Sequence, residues 1–434
     1  MKKIITENVN SGVTLHKFME HKFNTLTMKL FFIRHLDEKA TLASLLSKVL
    51  KRGTINNHSS KDLKKAFEDN YGSTFRVNVK KIGENHLFEV SLYMPDKKII
   101  GDIAGNDAFR KSVNLLSEII FSPYMEDGLL SNKYVEQEKR SLAQEIESIF
   151  NDKEQFALQR CIELTCENES YKIPSKGRLK DIEIIDNHCL TNFYKDLLRT
   201  SQIEMFIAGD FSNSDIEIIN EKILSKFAPR NEHKCVDQEI KDISKIRIIE
   251  EFSNVKQGKF VMSLRSKVNP CSTLMPAFIL YNGILGGGTY SKLFNIIREK
   301  NSLAYYVHSL ADRNKQIMFI EAGINKDNFN KTKDLIDVIL EDMKNGLISD
   351  QEMSQAKEST INSLWTLDDS SGGNINYYLM GLLCGCPIIP SDMENNIKEV
   401  TKEDIIKVAN MIQTDLIFFL SSESEGENDD SRNQ

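Results

Sequence analysis

Three groupings in this sequence hold residue types that could do chemistry at first sight. His16, Glu20 and His21 offer two imidazoles and a carboxylate, the makings of a metal site whose glutamate could act as base toward bound water. The spacing spoils it, because five residues turn about 140° around a helix and VTLHKF reads as strand in any case. Both histidines therefore read as ordinary surface residues. Cys384 and Cys386 lack a second Cys/His pair at ligand spacing and read as buried small hydrophobes. Gly286, Gly287 and Gly288, in GGGTYSK, could suggest a phosphate cradle, but the G-x-x-x-x-G-K-[ST] spacing is missing. A flexible or close-packed backbone turn is the plainer reading of the run.

A fourth grouping follows the glycines, where an amphipathic helix runs through Arg298 into a strand that begins near Tyr305. By residue type alone Arg298 would end a surface helix, and Tyr305 would be a core aromatic of the strand. The elements that must hold these groups are legible from period. Leu42, Leu45, Leu46, Val49 and Leu50 line one face of a helix that Gly53 ends. Short alternating runs over 12–34 predict two strands, and 75–79 with 88–94 predicts a hairpin turning at Gly83-Glu84-Asn85. Helices are expected over 62–71, 108–121, 129–150, 154–165 and 192–199, and a strand over 203–211.

The second half repeats the first. Gly53-Thr54 recurs as Gly288-Thr289, and from the strand onward an ungapped offset sets Phe75 on Tyr305, Val77 on Val307, Phe88 on Met318, Val90 on Ile320 and Met94 on Ile324. A one-residue slip would turn every side chain to the other face, so the shared parity argues for a shared unit. The expected fold is α+β: two tandem related halves, each an antiparallel sheet with helices packed on one side. We place the halves at 1–228 and 243–420, a polar linker at 229–242, and a disordered acidic tail at 421–434, where five acids meet one arginine.

Composition narrows the function classes. At 434 residues, with 40% hydrophobic and 27% charged residues, the chain can bury substantial cores. A net charge of −7 with no basic cluster argues against nucleic acid as a partner. No stretch approaches the roughly 18 apolar residues of a membrane span, and the start carries no secretory pattern. Seven irregularly placed cysteines suggest a reduced, cytoplasmic setting.

The stretch 285–307, LGGGTYSKLFNIIREKNSLAYYV, resembles the second half-domain of the pitrilysin and insulinase group of zinc peptidases, and the likeness extends over nearly all of the chain. In that family the first half-domain carries H-x-x-E-H on a helix before a Gly-Thr, so that two histidines share one face and bind zinc beside a glutamate base. The matching positions here are Ser44, Ser47 and Lys48, and the family's further ligand falls on Glu145 in SLAQEIES. Serine is a poor zinc ligand, and an ammonium opposes the cation. The resemblance thus implies a chain that binds no metal of its own, with Glu145 a solvated helix residue. It also implies that Arg298 and Tyr305 are retained to donate hydrogen bonds to a scissile carbonyl, Tyr306 being the neighbour that a one-residue slip would put in its place. Gly286, Gly287 and Gly288 would be a substrate-handling loop. The implied partner is a zinc-bearing paralogous subunit acting on a peptide or protein, and among such chains the likeness is strongest to those associated with elongation factor P modification. A non-catalytic scaffold or peptide-binding protein is the alternative.

Overall fold

The computed structural model describes residues 3–231, 243 and 245–422. The expected linker and acidic tail lie outside these residues, apart from 229–231 and 421–422. One sheet is built from β1 (Lys3–Asn10), β2 (Val13–Met19), β3 (Thr25–His35), β4 (Thr74–Ile82), β5 (Asn85–Pro95) and β6 (Gln202–Gly209), in the order β1-β2-β6-β3-β5-β4. The other uses β7 (Arg247–Phe252), β8 (Gly258–Ser266), β9 (Ala304–Asp312), β10 (Ile317–Ile324) and β11 (Ile412–Ser421), in the order β9-β10-β8-β11-β7.

Leaving out β1, the two orders are the same. Each has a hairpin at one edge, and each has one parallel pair at the other, β2 with β6 and β7 with β11. The repeat is therefore real at the level of topology, and the chain is α+β with two homologous halves. Its ungapped form needs correction. In the first hairpin Ile82 pairs with Asn85 across two residues, whereas in the second Asp312 pairs with Ile317 across four. Val77 faces Val90, but the residue facing Ile320 is Ser309 and not Val307. The shift is two residues, so facing was conserved although register was not.

The described chain divides into two compact units, Met1–Ser148 with Ile173–Val236 and Leu367–Leu383, and Ile149–Lys172 with Asp237–Thr366 and Cys384–Gln434. Each unit thus includes a segment from the other half of the sequence, which contiguous halves at 1–228 and 243–420 do not provide for. In the first unit the predicted stripe of α1 (Ala40–Val49) is buried at Leu45, Leu46, Val49 and the following Leu50, with Leu42 only half-buried and Ala43 buried in addition, under the sheet together with α2 (Asn132–Asn151). The opposite sheet face is covered by α5 (Ser371–Leu382), whose Ile375 and Leu379 pack on Phe18, Phe31 and Phe206. In the second unit α4 (Met275–Gly286) meets β9 through Gly286, and α3 (Lys153–Thr165) packs Ala157 and Cys161 against Val261, Phe319, Leu416 and Phe418. A helix layer on one side was expected; the single exchanged helix supplies the second side. Burying each large side chain there contributes about 1.5–3 kcal/mol, so a sheet apolar on both faces needs that cover.

Candidate active-site cleft and the lost zinc corner

Arg298 and Tyr305 owe their positions to two local irregularities. The segment Phe294–Lys300 is wound as a π-helix with Ile297 buried, a geometry that recurs at functional sites, and Arg298 projects near its end. The turn that follows passes through Ser302 at a φ of 51°, left-handed backbone in a residue that is not glycine. Strand pairing then jumps from Ala304↔Ile324 to Tyr306↔Gly323, leaving Tyr305 as the extra residue of a bulge that re-aims its side chain. Tyr305 is 77% exposed, so it is no core aromatic.

Both groups line one open cleft of ≈ 460 Å³ with Gln257, Glu299, Ser302, Leu303, Ala304 and Asn325. The Arg298 guanidinium lies 4.8 Å from the Phe294 ring centre and 3.7 Å from Glu299, a loose hold on a half-exposed side chain. Among the described residues the Tyr305 hydroxyl has no partner. Two donors therefore open on the same solvent-filled space. Tyr306 faces elsewhere, its ring against Gly323 and 5.0 Å from the Lys259 ammonium. Burial, and then the Glu154 carboxylate, hold its hydroxyl well above the usual tyrosine range. Gln257 and Asn325 complete the cleft from neighbouring turns and carried no signal in the sequence.

The glycine run does not line this cleft. Gly286 is buried at the end of α4, and a Cβ there would sit 2.5 Å from the Ser309 backbone nitrogen. Its reason is close helix-to-strand approach, the plainer reading of the run, whereas Gly287 and Gly288 lie nearer the surface. Gly286→Val is accordingly expected to cost about 3 kcal/mol or more through forced backbone displacement. A urea midpoint unchanged from wild type would contradict this.

The four positions that the resemblance sets on the zinc motif also find their places. Ser44 and Ser47 are buried on α1, where Ser44 donates to the Ser175 carbonyl at 3.3 Å and Ser47 to the Ser44 carbonyl at 2.7 Å. The Lys48 ammonium meets the Glu145 carboxylate of α2 at 2.8 Å, and Lys176 reaches the other oxygen at 2.5 Å. Burial would raise the Glu145 pKa, but the bonds from Lys176 and Lys48 outweigh it and hold it below the usual range. Glu145 is therefore not a solvated helix glutamate. It converges with Lys48 as a ligand pair would, with an ammonium as the facing charge.

The remaining candidates do not assemble. His16 is buried, not superficial: it lies 2.7 Å from Glu204 and stacks on Phe206 at 4.4 Å. His21 is exposed beside Asp210, and Glu20 faces Asn374. Cys386 is joined to Cys271 as a disulfide, so it is neither a buried small hydrophobe nor a reduced thiol. A partner 115 residues away cannot be read from local spacing. No helix among the described residues is long and apolar enough to cross a membrane.

The sequence is 30% identical over 416 residues to the probable inactive metalloprotease YmfF of Bacillus subtilis (strain 168), covering 95% of this chain and 96% of that one. The chain belongs to the M16 peptidase family. The family's inactive-domain model matches residues 188–360. A conserved protein of Enterococcus faecalis V583 superposes with a TM-score of 0.90 at 28% identity, over 98% of this chain and all of that one. An M16 inactive-domain structure from Pseudomonas fluorescens matches in fold, with a TM-score of 0.77 at 18% identity over 98% of this chain and 100% of its own. This M16 chain is an inactive member of the family.

Proposed function

We propose that this chain is the metal-free half of the catalytic centre in a two-subunit M16 peptidase-like complex. A zinc-bearing paralogue supplies the metal and the attacking water, while Arg298 and Tyr305 receive the carbonyl oxygen of a bound peptide or protein. The observation that carries this reading is their shared opening on one cleft, in a chain whose own metal corner is closed by Lys48. Hydroxide attack on a peptide carbonyl builds negative charge on oxygen, and fixed donors aimed at that oxygen lower the barrier. Gly287 and Gly288, which lie outside the cleft lining, would handle substrate as a separate loop in this scheme. Elongation factor P modification is the process this reading favours, on the strength of the sequence resemblance alone. A cytoplasmic site of action belongs to the same reading, and the Cys271–Cys386 pairing weighs against a strictly reducing compartment.

The test is co-expression with a paralogue that carries an intact H-x-x-E-H. A stable heterodimer with zinc-dependent peptide hydrolysis, absent from either chain alone, is the expected result. A homodimer that ignores the paralogue would instead favour a peptide-binding scaffold.

A further inference from the structure

On the face of the second sheet that α3 covers, three metal-ligating side chains come together from separate elements. His308 of β9 and Glu321 of β10 are direct cross-strand partners, with Nε2 and a carboxylate oxygen 3.5 Å apart. Glu154 arrives from the first turn of α3, where the Asp152 side chain caps the helix by accepting from the Glu154 and Gln155 backbone N–H groups at 3.1 and 3.2 Å. One donor atom from each of the three lies within 4.8 Å of the others. Zinc-type ions hold nitrogen and oxygen ligands at about 2.0–2.2 Å, which sets ligand atoms roughly 3–4 Å apart.

The charge balance favours a cation. Glu321 is 3% exposed, and a buried carboxylate is costly unless it is paired. Among the described residues its one ion-pair partner is His308, so even with that imidazole protonated the addition of Glu154 leaves the trio net negative. The Lys259 ammonium stands over the Tyr306 ring and pairs with none of the three among the described residues. His308 remains about a third open to solvent at its side chain, which leaves an entry path.

We infer that Glu154, His308 and Glu321 form a site for a divalent first-row transition metal, with Zn²⁺ the leading occupant. One imidazole with two carboxylates suits Zn²⁺, Co²⁺ or Mn²⁺ and is a poor match to Mg²⁺, which prefers oxygen alone and keeps its waters. Three protein ligands leave a fourth position for water. The site uses no residue of the Ser44, Ser47 and Lys48 corner, and it replaces the expectation of a metal-free chain without altering the roles given to Arg298 and Tyr305. Because the exchanged helix brings one ligand and the sheet brings two, bound metal ties α3 to β9 and β10.

The test uses the full chain alone, without an affinity tag and without the paralogue, so its outcome is separable from that of the heterodimer assay. Titration with Co²⁺ followed by visible absorption, and with Zn²⁺ by calorimetry, should show one equivalent bound. His308→Ala and Glu154→Gln should each weaken binding 10-fold or more, and Mg²⁺ should not compete. Glu154 is half-exposed, so its variant keeps the fold intact if the His308 change does not, and circular dichroism verifies this. Absence of uptake by wild type, or uptake undiminished in both variants, would overturn the inference.

Discussion

Arg298→Ala in the assembled heterodimer is expected to lower turnover by about 10²- to 10³-fold, and Tyr305→Phe by about 10²-fold, with assembly unchanged. The size follows from what each side chain does. A guanidinium or phenol that meets a developing oxyanion in a site shielded from water is worth roughly 3–4 kcal/mol, far more than the same bond on a free surface. The loss should fall mainly on kcat, because the neutral carbonyl of the bound substrate draws less on these donors than the tetrahedral intermediate does. Folding should be indifferent. Among the described residues the Arg298 side chain is held by a ring contact at 4.8 Å and a carboxylate at 3.7 Å, and Tyr305→Phe removes one hydroxyl from an exposed ring. Tyr306→Phe is the internal control. Its ring packs on Gly323, outside the cleft lining, so its turnover should stay near wild type. Full turnover in both Arg298→Ala and Tyr305→Phe would reduce the chain to a scaffold.

What the sequence disclosed and what it withheld follow a physical line. Periodicity reports one chain segment against one apolar surface, so the hairpin at Gly83-Glu84 and most of the α1 stripe were legible, with Leu42 half-buried and Ala43 buried in its stead. Position in a motif reports chemistry, so Lys48 and Glu145 were paired by the family pattern and do meet in space. Neither signal sees a non-local choice. Nothing in KEQFALQRCIELT says which of two similar sheets it will cover, and β10 is buried along its whole length because of that cover. The same blindness hid Glu154, His308 and Glu321, which lie far apart in sequence and converge only because α3 crosses to the second unit. His16 was misread for a related reason. A lone polar residue in a strand looks superficial until its buried partner, Glu204, is paired beside it.

Removing Arg265 should unfasten that exchanged segment, and Arg265→Leu is expected to cost about 3–5 kcal/mol. The guanidinium binds Asp415 of β11 at 3.0 Å through Nε, and it spans both Glu169 oxygens at 3.0 and 2.6 Å. It also donates to the Thr165 carbonyl at 2.9 Å, at the very end of α3. Lys315, only 3% exposed, adds a second cation 2.6 Å from Glu169. Truncation would leave two largely enclosed carboxylates short of a cation, which costs more than the net worth of the pairs themselves. Acid should do the same work gradually. Burial acts to raise the Glu169 pKa, but the bonds from Arg265 and Lys315 prevail and depress it from 4.5 to about 2. A carboxyl depressed on folding contributes stability that is complete above its unfolded pKa, and it loses that contribution as pH falls from about 4.5 toward 2. Allowing for screening at a partly open site, about 2 kcal/mol is at stake at neutral pH. Urea midpoints at pH 7 and pH 3 should therefore separate widely for wild type and less for Glu169→Gln, which never carries the charge. Equal pH dependence in the two proteins would mean that Glu169 is not what fastens Ile149–Lys172 to its sheet.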